Sequence, residues 1–276
     1  MESPRALLRQ FGYKPKKRFG QHFLIDAGAA ARIARLVCES PPAEDFSVFE
    51  IGPGTGSLTD ALVRLRLRVT AIEIDSAMVG ILRAQPELQA AQIVHADALT
   101  FDYASETSGK SWRVTGNLPY NIATPLVLRF IEMPSGPERI VVMVQRDVAQ
   151  RFCAEPATAA YGSLTVAVQY AMHVEIALVL PPSAFYPRPK VESAVVVLRR
   201  RERNDVSVHD ENWFLQVVRA AFAYRRKTLA NTLWLALGIE RPVTAAALRE
   251  LDLDTEIRGE QLTLDDFARL AAQLRR

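Results

Sequence analysis

Residues 48–57 read Val-Phe-Glu-Ile-Gly-Pro-Gly-Thr-Gly-Ser. The apolar residues at the start of this segment predict a buried strand, and the glycines that follow allow the backbone to turn tightly and approach a ligand. Leu58, Leu62 and Leu65 then recur at helical spacing. A strand, a glycine-rich loop and a helix in this order indicate a nucleotide-like ligand bound at the edge of an α/β sheet.

Further apolar runs extend this pattern over the first two thirds of the chain. Strands are predicted at residues 48–51, 69–74, 93–96, 113–115, 140–144, 174–180 and 191–198. Most are separated by helix-like stretches, which is typical of a parallel sheet with crossover helices. The last two are joined by a proline-rich link that is too short for a crossover helix, so they predict an antiparallel pair at one sheet edge.

Helical periodicity dominates the sequence after residue 203. One helix face is predicted from Trp213 to Phe222, Gly238 ends the next helix, and Thr263 with Asp266 resembles a capping box. These features predict a domain at 1–203 and a small all-helical domain at 204–276, joined by the polar segment 199–205.

The composition is that of an ordinary globular protein. The 276 residues are 49% hydrophobic and 24% charged, which excludes disordered and collagen-like chains. No apolar run approaches the roughly 18 residues of a membrane span. Residues 1–10 carry no apolar secretory core, which favours the cytoplasm.

Positive charge is unevenly placed along the chain. Net charge is +3, yet residues 1–20 alone hold six basic side chains against the single acid Glu2. Further basic runs occupy 199–203 and 225–227. Charge runs are usually solvated surface, but these could bind phosphates if the fold brings them to one face.

Three acids lie at or near the ends of predicted strands and indicate which ligand the glycine loop binds. Glu50 precedes the loop, Glu73 lies about twenty residues on, where a carboxylate can accept hydrogen bonds from ribose hydroxyls, and Asp97 is placed for an adenine amino group. The loop is Gly-x-Gly-x-Gly and lacks the third glycine position of the dinucleotide fingerprint, because residue 57 is Ser. Acids without a pyrophosphate site fit the cationic cofactor S-adenosylmethionine.

The peptide Asn-Leu-Pro-Tyr at 117–120 follows the fourth strand, where open α/β sheets place reactive groups. An aryl amino group is a poor nucleophile, and the Asn117 side-chain oxygen with the Leu118 carbonyl could hold it. Pro119 restricts the preceding residue to extended geometry. Tyr120 offers a ring for a base to stack on, and Phe185 in the proline-rich segment could cover the other face.

Other chemistries lack their motifs. The four histidines are scattered without metal-ligand spacing, so no metal is expected. The Gly-Lys-Ser at 109–111 lacks the glycine that a phosphate loop requires five residues earlier, where Ala104 stands.

Four ordered segments resemble the ribosomal RNA adenine dimethylase family, over about residues 16–270. They are Lys-Lys-Arg-Phe-Gly-Gln-His-Phe-Leu at 16–24, Glu-Ile-Gly-Pro-Gly-Thr-Gly at 50–56, Asn-Leu-Pro-Tyr-Asn at 117–121 and Ser-Ala-Phe-Tyr-Pro-Arg-Pro-Lys-Val-Glu-Ser at 183–193. The likeness is greatest to the bacterial members that act on the small ribosomal subunit.

The resemblance implies a Rossmann-like class I methyltransferase domain, whose mostly parallel seven-stranded sheet has an antiparallel edge strand, and a small all-α RNA-contacting C-terminal domain. It implies dimethylation of two adjacent adenosines in the 3′-terminal hairpin of 16S RNA with S-adenosylmethionine, by a monomer acting on an assembling small subunit.

The resemblance also implies roles for individual residues. Cofactor contacts are expected at His22, Leu24, Gly52, Gly54, Glu73, Asp97 and Asn117. Catalytic contacts are expected at Asn117, Leu118, Pro119, Tyr120 and Phe185. RNA contacts are expected at Lys16, Lys17, Arg18, Arg225, Arg226 and Lys227.

Two alternatives remain at the level of sequence. One is a related enzyme that acts on adenine in large-subunit RNA or DNA. The other is a ribosome-assembly or transcription factor that binds nucleic acid without turnover, although such a protein has no need for the acids together with Asn117 and Tyr120.

Overall fold

The computed structural model describes residues 2–16, 19–39, 46–107, 109–119, 122–202, 206 and 208–275. Their strands are β1 (Phe23–Leu24), β2 (Ser47–Ile51), β3 (Arg68–Glu73), β4 (Gln92–His95), β5 (Trp112–Asn117), β6 (Arg139–Gln145), β7 (Met172–Leu180), β8 (Phe185–Tyr186) and β9 (Ser193–Arg200). Their α-helices are α1 (Pro4–Gln10), α2 (Ala27–Cys38), α3 (Ser57–Arg64), α4 (Ser76–Arg83), α5 (Tyr103–Thr107), α6 (Ala123–Glu132), α7 (Arg146–Phe152), α8 (Ser163–Ala171), α9 (Glu211–Ala221), α10 (Leu229–Leu237), α11 (Arg241–Glu250) and α12 (Leu264–Gln273). None of the helices in these ranges is long and apolar enough to cross a bilayer.

These residues form two compact units. The first contains residues up to 149 together with 175–200, and the second contains 150–174 together with residues from 201 onward. The predicted boundary between 203 and 204 lies outside the described residues. The prediction placed 150–174 in the first domain, and this assignment is wrong because Tyr161 and Val166 pack in the apolar core of the second unit. Residues 199 and 200, predicted as linker, belong to β9 instead.

The first unit is built on a sheet that has seven strands among the described residues, in the order β4-β3-β2-β5-β6-β9-β7. Strands β2 to β6 pair in parallel, whereas β9 is antiparallel to β6. The Rossmann-like prediction and each predicted strand are confirmed, with the strand β7 lying outside β9 at the sheet edge. Strands β1 and β8 form a separate antiparallel pair.

Both faces of the sheet are covered, which explains the continuous apolar character of its strands. Adjacent residues of β2 point to opposite faces. Val48 packs with α2 and α3 in one apolar cluster. Phe49 packs on the other side in an aromatic cluster, with its ring 5.3 Å from that of Tyr103 and 5.4 Å from that of Trp112.

The second unit is helical, as predicted. Phe214, Val217 and Val218 on one face of α9 are buried. Thr263 caps the start of α12: its hydroxyl accepts from the Asp266 N–H, while the Asp266 carboxylate accepts from the Thr263 N–H. The predicted capping box is therefore present, and it satisfies two otherwise unpaired backbone donors.

Candidate functional site

A cavity of about 360 Å³ opens at the carboxyl ends of β2, β3 and β5 in the first unit. This is the edge at which open α/β sheets bind ligands. Every residue predicted to bind the cofactor lines the cavity: His22, Leu24, Gly52, Gly54, Glu73, Asp97 and Asn117. Among the predicted catalytic residues, the cavity is also lined by Asn117, Leu118, Pro119 and Phe185, whereas Tyr120 lies outside the described residues.

Two glycines allow the chain to enclose this space. Gly54 has φ +56°, and a Cβ there would lie 2.7 Å from the Phe23 ring. Gly116, just before Asn117, has φ +152°, and a Cβ would lie 2.3 Å from the Ile51 carbonyl oxygen. Larger residues would therefore force apart the glycine loop, the N-terminal segment and the β2–β5 pair.

The Glu73 carboxylate holds the glycine-rich loop through a hydrogen bond. Its Oε2 accepts from the Gly54 N–H at 3.4 Å, and its Oε1 accepts from the Asp75 N–H at 2.9 Å. Burial raises the pKa of Glu73, although these two N–H groups oppose the shift. Asp97, which is half-buried, accepts from the Leu99 N–H at 2.9 Å. Both acids lie at strand ends facing one cavity, as predicted.

Glu50 is the most enclosed acid of the cavity, with only 1% of its surface exposed. Its Oε2 has no hydrogen-bond partner among the described residues. Burial, followed by the charge of Glu73, raises the pKa of Glu50 to about 8. A buried carboxyl oxygen without a partner is costly, and a cationic ligand would remove that cost. The acidic side chains that line the cavity therefore fit a positively charged cofactor.

Asn117 is oriented by the N-terminal segment. Its Nδ2 donates to the His22 carbonyl oxygen at 2.6 Å, which turns Oδ1 away from that carbonyl and leaves it as the acceptor end of the amide. The Leu118 N–H donates to the Met143 carbonyl at 3.0 Å, and the Leu118 side chain is buried. Leu118 can therefore hold a target amino group in the cavity, as predicted for its carbonyl, only through backbone atoms.

Phe185 lines the cavity but belongs mainly to the apolar core. It is 1% exposed and packs in the same apolar cluster as Leu24, its partner in the β1–β8 pair. Its predicted stacking on a base stays a prediction.

The predicted RNA-binding residues have different surroundings. Lys16 forms an ion pair with Asp75, with Nζ 2.8 Å from Oδ2, while Lys17 and Arg18 lie outside the described residues. In the second unit, Arg225, Arg226 and Lys227 are exposed in the turn after α9, although Arg225 lies 3.5 Å from Glu260.

Sequence reasoning missed several parts of the site. Asp75 was not singled out, although a second acid two residues after Glu73 was a usable signal. Phe19 and Gly20 also line the cavity, as do Ala98 and Leu99 after β4. These apolar and glycine positions carry no chemical signature, so only the fold reveals them.

The sheet order and the acid-lined cavity at its edge define the class of Rossmann-like methyltransferases. Two solved structures share the fold over nearly the whole chain. A dimethyladenosine transferase from Plasmodium falciparum aligns with a TM-score of 0.75 and 25% identity, covering 90% of this chain and 96% of that one. The 23S rRNA methyltransferase ErmE aligns with a TM-score of 0.72 and 26% identity, covering 92% of this chain and all of that one.

Residues 12–274 match the ribosomal RNA adenine dimethylase family. Among curated relatives, the ribosomal RNA small subunit methyltransferase A of Lactococcus lactis is 39% identical, covering 97% of this chain and 92% of its own. The protein of the same name in Magnetococcus marinus is 42% identical, covering 97% of this chain and 94% of its own. The chain belongs to the ribosomal RNA adenine dimethylase family.

Proposed function

We propose that this protein uses S-adenosylmethionine to dimethylate the exocyclic amino groups of two adjacent adenosines in the 3′-terminal hairpin of small-subunit ribosomal RNA. The proposal extends the family membership to a substrate, and the names of the curated relatives support the small subunit. It places the reaction in the cytoplasm, on an assembling subunit, with the protein acting as a monomer.

The orientation of Asn117 is the observation that carries this proposal. The Nδ2 of this side chain is held by the His22 carbonyl, so Oδ1 can accept a hydrogen bond from the amino group of an adenine. Such an acceptor draws the nitrogen lone pair out of conjugation with the ring and toward the methyl donor. Because Asn117 lines the same cavity as Glu50, Glu73 and Asp97, acceptor and cofactor site are adjacent.

The residues contribute mainly by positioning the reactants. When bound, the cofactor supplies a methyl group on a cationic sulfur: the carbon–sulfur bond breaks toward sulfur as the carbon–nitrogen bond forms. Glu73 would hold the ribose hydroxyls, Asp97 the adenine amino group, and Glu50 would balance positive charge. Tyr120 and Phe185 would stack on a target adenosine that has left its helix. The methylated nitrogen then loses its proton to water.

The change Asn117→Ala tests the proposal. Methyl transfer from labelled donor to undermethylated small subunits should fall by at least about 100-fold, since a positioned hydrogen-bonding group typically contributes about that much. The fold should be retained, as judged by circular dichroism and thermal unfolding. The exposed residue Asn212 offers a matched control, and Asn212→Ala should retain full activity.

Substrate choice is tested with the wild-type protein. Labelled donor is incubated separately with undermethylated small subunits, large-subunit RNA and adenine-containing DNA, and transfer to the first alone is expected. Preferred transfer to large-subunit RNA would instead favour the activity named for ErmE, to which the fold is also similar. Binding of RNA without transfer to any substrate would contradict the proposed reaction.

A further inference from the structure

The described residues of the N-terminal arm, 2–16 and 19–24, pack along one side of the cofactor cavity. Leu7, Leu8 and Phe23 of the arm form an apolar cluster with Met78 and Ile81 of α4. The last part of the arm, from Phe19 to Leu24, lines the cavity itself. Segments outside the sheet are more mobile than its strands, so this side of the cavity needs contacts that hold it in place.

Asp75 provides that attachment through the arm's polar side chains. Its Oδ2 accepts from the Tyr13 hydroxyl at 2.7 Å, and the Lys16 ammonium lies 2.9 Å from Oδ1 and 2.8 Å from Oδ2. The Tyr13 hydroxyl also lies 2.9 Å from Gln21 Oε1. Since the hydroxyl has a single proton, the shorter contact to a charged acceptor assigns that proton to Asp75.

The ion pair is largely shielded from water. The Asp75 side chain is 1% exposed and that of Lys16 is 36% exposed. Burial alone would raise the pKa of Asp75, but hydrogen bonds from Lys16 and Tyr13 outweigh it, and the pKa lies below its ordinary value. A hydrogen bond to a charged group in such a place is stronger than one at the surface.

Asp75 is also bonded to the cofactor side of the cavity. Its N–H donates to Glu73 Oε1 at 2.9 Å, and its Oδ1 caps α4 by accepting from the Ala77 N–H at 3.0 Å. Yet Asp75 is not among the described residues that line the cavity. It joins the arm to Glu73 without facing the ligand space.

The end of the arm, at His22 and Leu24, also makes contacts with the rest of the site, including Asn117. The His22 carbonyl accepts from Asn117, and the His22 ring Nδ1 lies 2.7 Å from the Pro187 carbonyl, which requires Nδ1 to be the protonated nitrogen. The Leu24 carbonyl accepts from the Ser57 hydroxyl at 2.8 Å. Displacing the arm would therefore disturb both the glycine loop's helix and the orientation of Asn117.

We propose that Asp75 is a positioning residue, which holds the N-terminal arm against the cavity through Tyr13 and Lys16 and so sets both cofactor affinity and the orientation of Asn117. The part that concerns the cofactor and the target amino group rests on the proposed function. The part that concerns the arm rests on the contacts alone.

The main test uses Tyr13→Phe and Lys16→Met, since both leave Asp75 and its helix cap intact. Hydrogen–deuterium exchange of residues 19–24, measured without any cofactor, should become about ten-fold faster in each variant, as expected for one lost hydrogen bond to a buried charge. The dissociation constant of S-adenosylhomocysteine, measured by calorimetry, should rise by a similar factor. Because both variants act through Asp75, the double variant should show less than the product of the two effects.

Conservative and matched variants separate positioning from general loss of stability. Lys16→Arg keeps the ion pair and should restore near wild-type exchange and affinity. Tyr161→Phe removes another buried tyrosine hydroxyl bond, to the Leu262 carbonyl in the second unit, and should lower stability without changing exchange at 19–24.

Two results would overturn the inference. One is exchange and affinity within two-fold of wild type in both Tyr13→Phe and Lys16→Met. The other is that Tyr161→Phe changes exchange at residues 19–24 as much as Tyr13→Phe and Lys16→Met do. If exchange changes as expected but the wild-type protein binds no S-adenosylhomocysteine, the arm contact stands and the proposed function fails.

Discussion

Glu50 shows how one position on a strand acquires unusual chemistry. A glutamate at the end of β2 has β3 and β5 on either side, so its carboxyl group is enclosed on folding. Burial raises its pKa to about 8 from an ordinary value of 4.5. In the free protein the carboxyl group therefore retains its proton near neutral pH, and a cationic ligand would favour its release.

The substitution Glu50→Gln tests this protonation. The folded protein keeps the proton up to about pH 8, whereas the unfolded chain loses it near pH 4.5. The stability contributed by the protonated group is thus fully present below the unfolded pKa and is lost as the pH rises through the folded pKa. The variant is neutral throughout, so wild type should lose stability relative to it, on the order of 4 kcal/mol between about pH 5 and about pH 9.

Urea unfolding of both proteins at the two pH values measures this difference. Comparing wild type with variant cancels the titration of all other groups. A stability difference that does not vary with pH would mean that Glu50 is already ionised in the folded protein.

At the level of elements, α6 fixes the loop that follows β4. Arg129 on α6 donates to the Ala98 and Phe101 carbonyls, each at 2.7 Å, and its guanidinium lies 5.1 Å from the centre of the Tyr103 ring. The loop carries Asp97, which faces the cavity. The position of this acid therefore depends on a helix from elsewhere in the sequence.

The substitution Arg129→Met should weaken binding of S-adenosylhomocysteine about ten-fold, because two hydrogen bonds that hold the loop are lost while most of the apolar packing remains. Calorimetry gives the affinity, and adenosine alone should show a comparable loss if the adenine site is the part affected. Arg64 makes an exposed ion pair with Asp60 on α3, and Arg64→Met should leave affinity unchanged. An unchanged affinity in Arg129→Met would show that the loop holds its shape without the helix.

For the whole molecule, the residues proposed to bind the cofactor and the basic turn proposed to bind RNA belong to different units. The described residues that line the cavity all belong to the first unit, whereas the exposed basic turn at 225–227 belongs to the second. Substitutions in this turn should therefore change RNA affinity without changing cofactor affinity.

Charge reversal of Arg225, Arg226 and Lys227 to Glu tests this separation. RNA binding should weaken, and the dependence of its affinity on salt should become shallower by up to about 3 in the slope of log K against log salt, since each phosphate contact contributes close to one. Cofactor affinity should not change. The matched control changes the exposed residues Arg219, Arg249 and Arg258 to Glu. An equal loss of RNA affinity in this control would mean that the effect comes from net charge and not from the turn at 225–227.

Local signals predicted much of this protein. Apolar runs placed the seven strands of the larger sheet to within one or two residues but missed β1 and β8, and the glycine loop with Glu73, Asp97 and Asn117 marked one edge of that sheet. These predictions succeed because apolar runs and glycine turns depend on neighbours in sequence. The assignment of 150–174 failed because the partners of α8 in the second core lie far along the chain, so its neighbours in sequence do not indicate them.

The amino-acid order was enough to predict the α/β class, the edge of the sheet at which the cavity lies, and the acids that line it. Folding alone brought Asp75 to Tyr13 and Lys16, across 62 and 59 residues, and brought His22 to Asn117 across 95. Such contacts depend on how distant segments pack, and no residue type or spacing encodes them individually. For the same reason burial, which sets the pKa of Glu50, was visible only once β2 had neighbours on both sides.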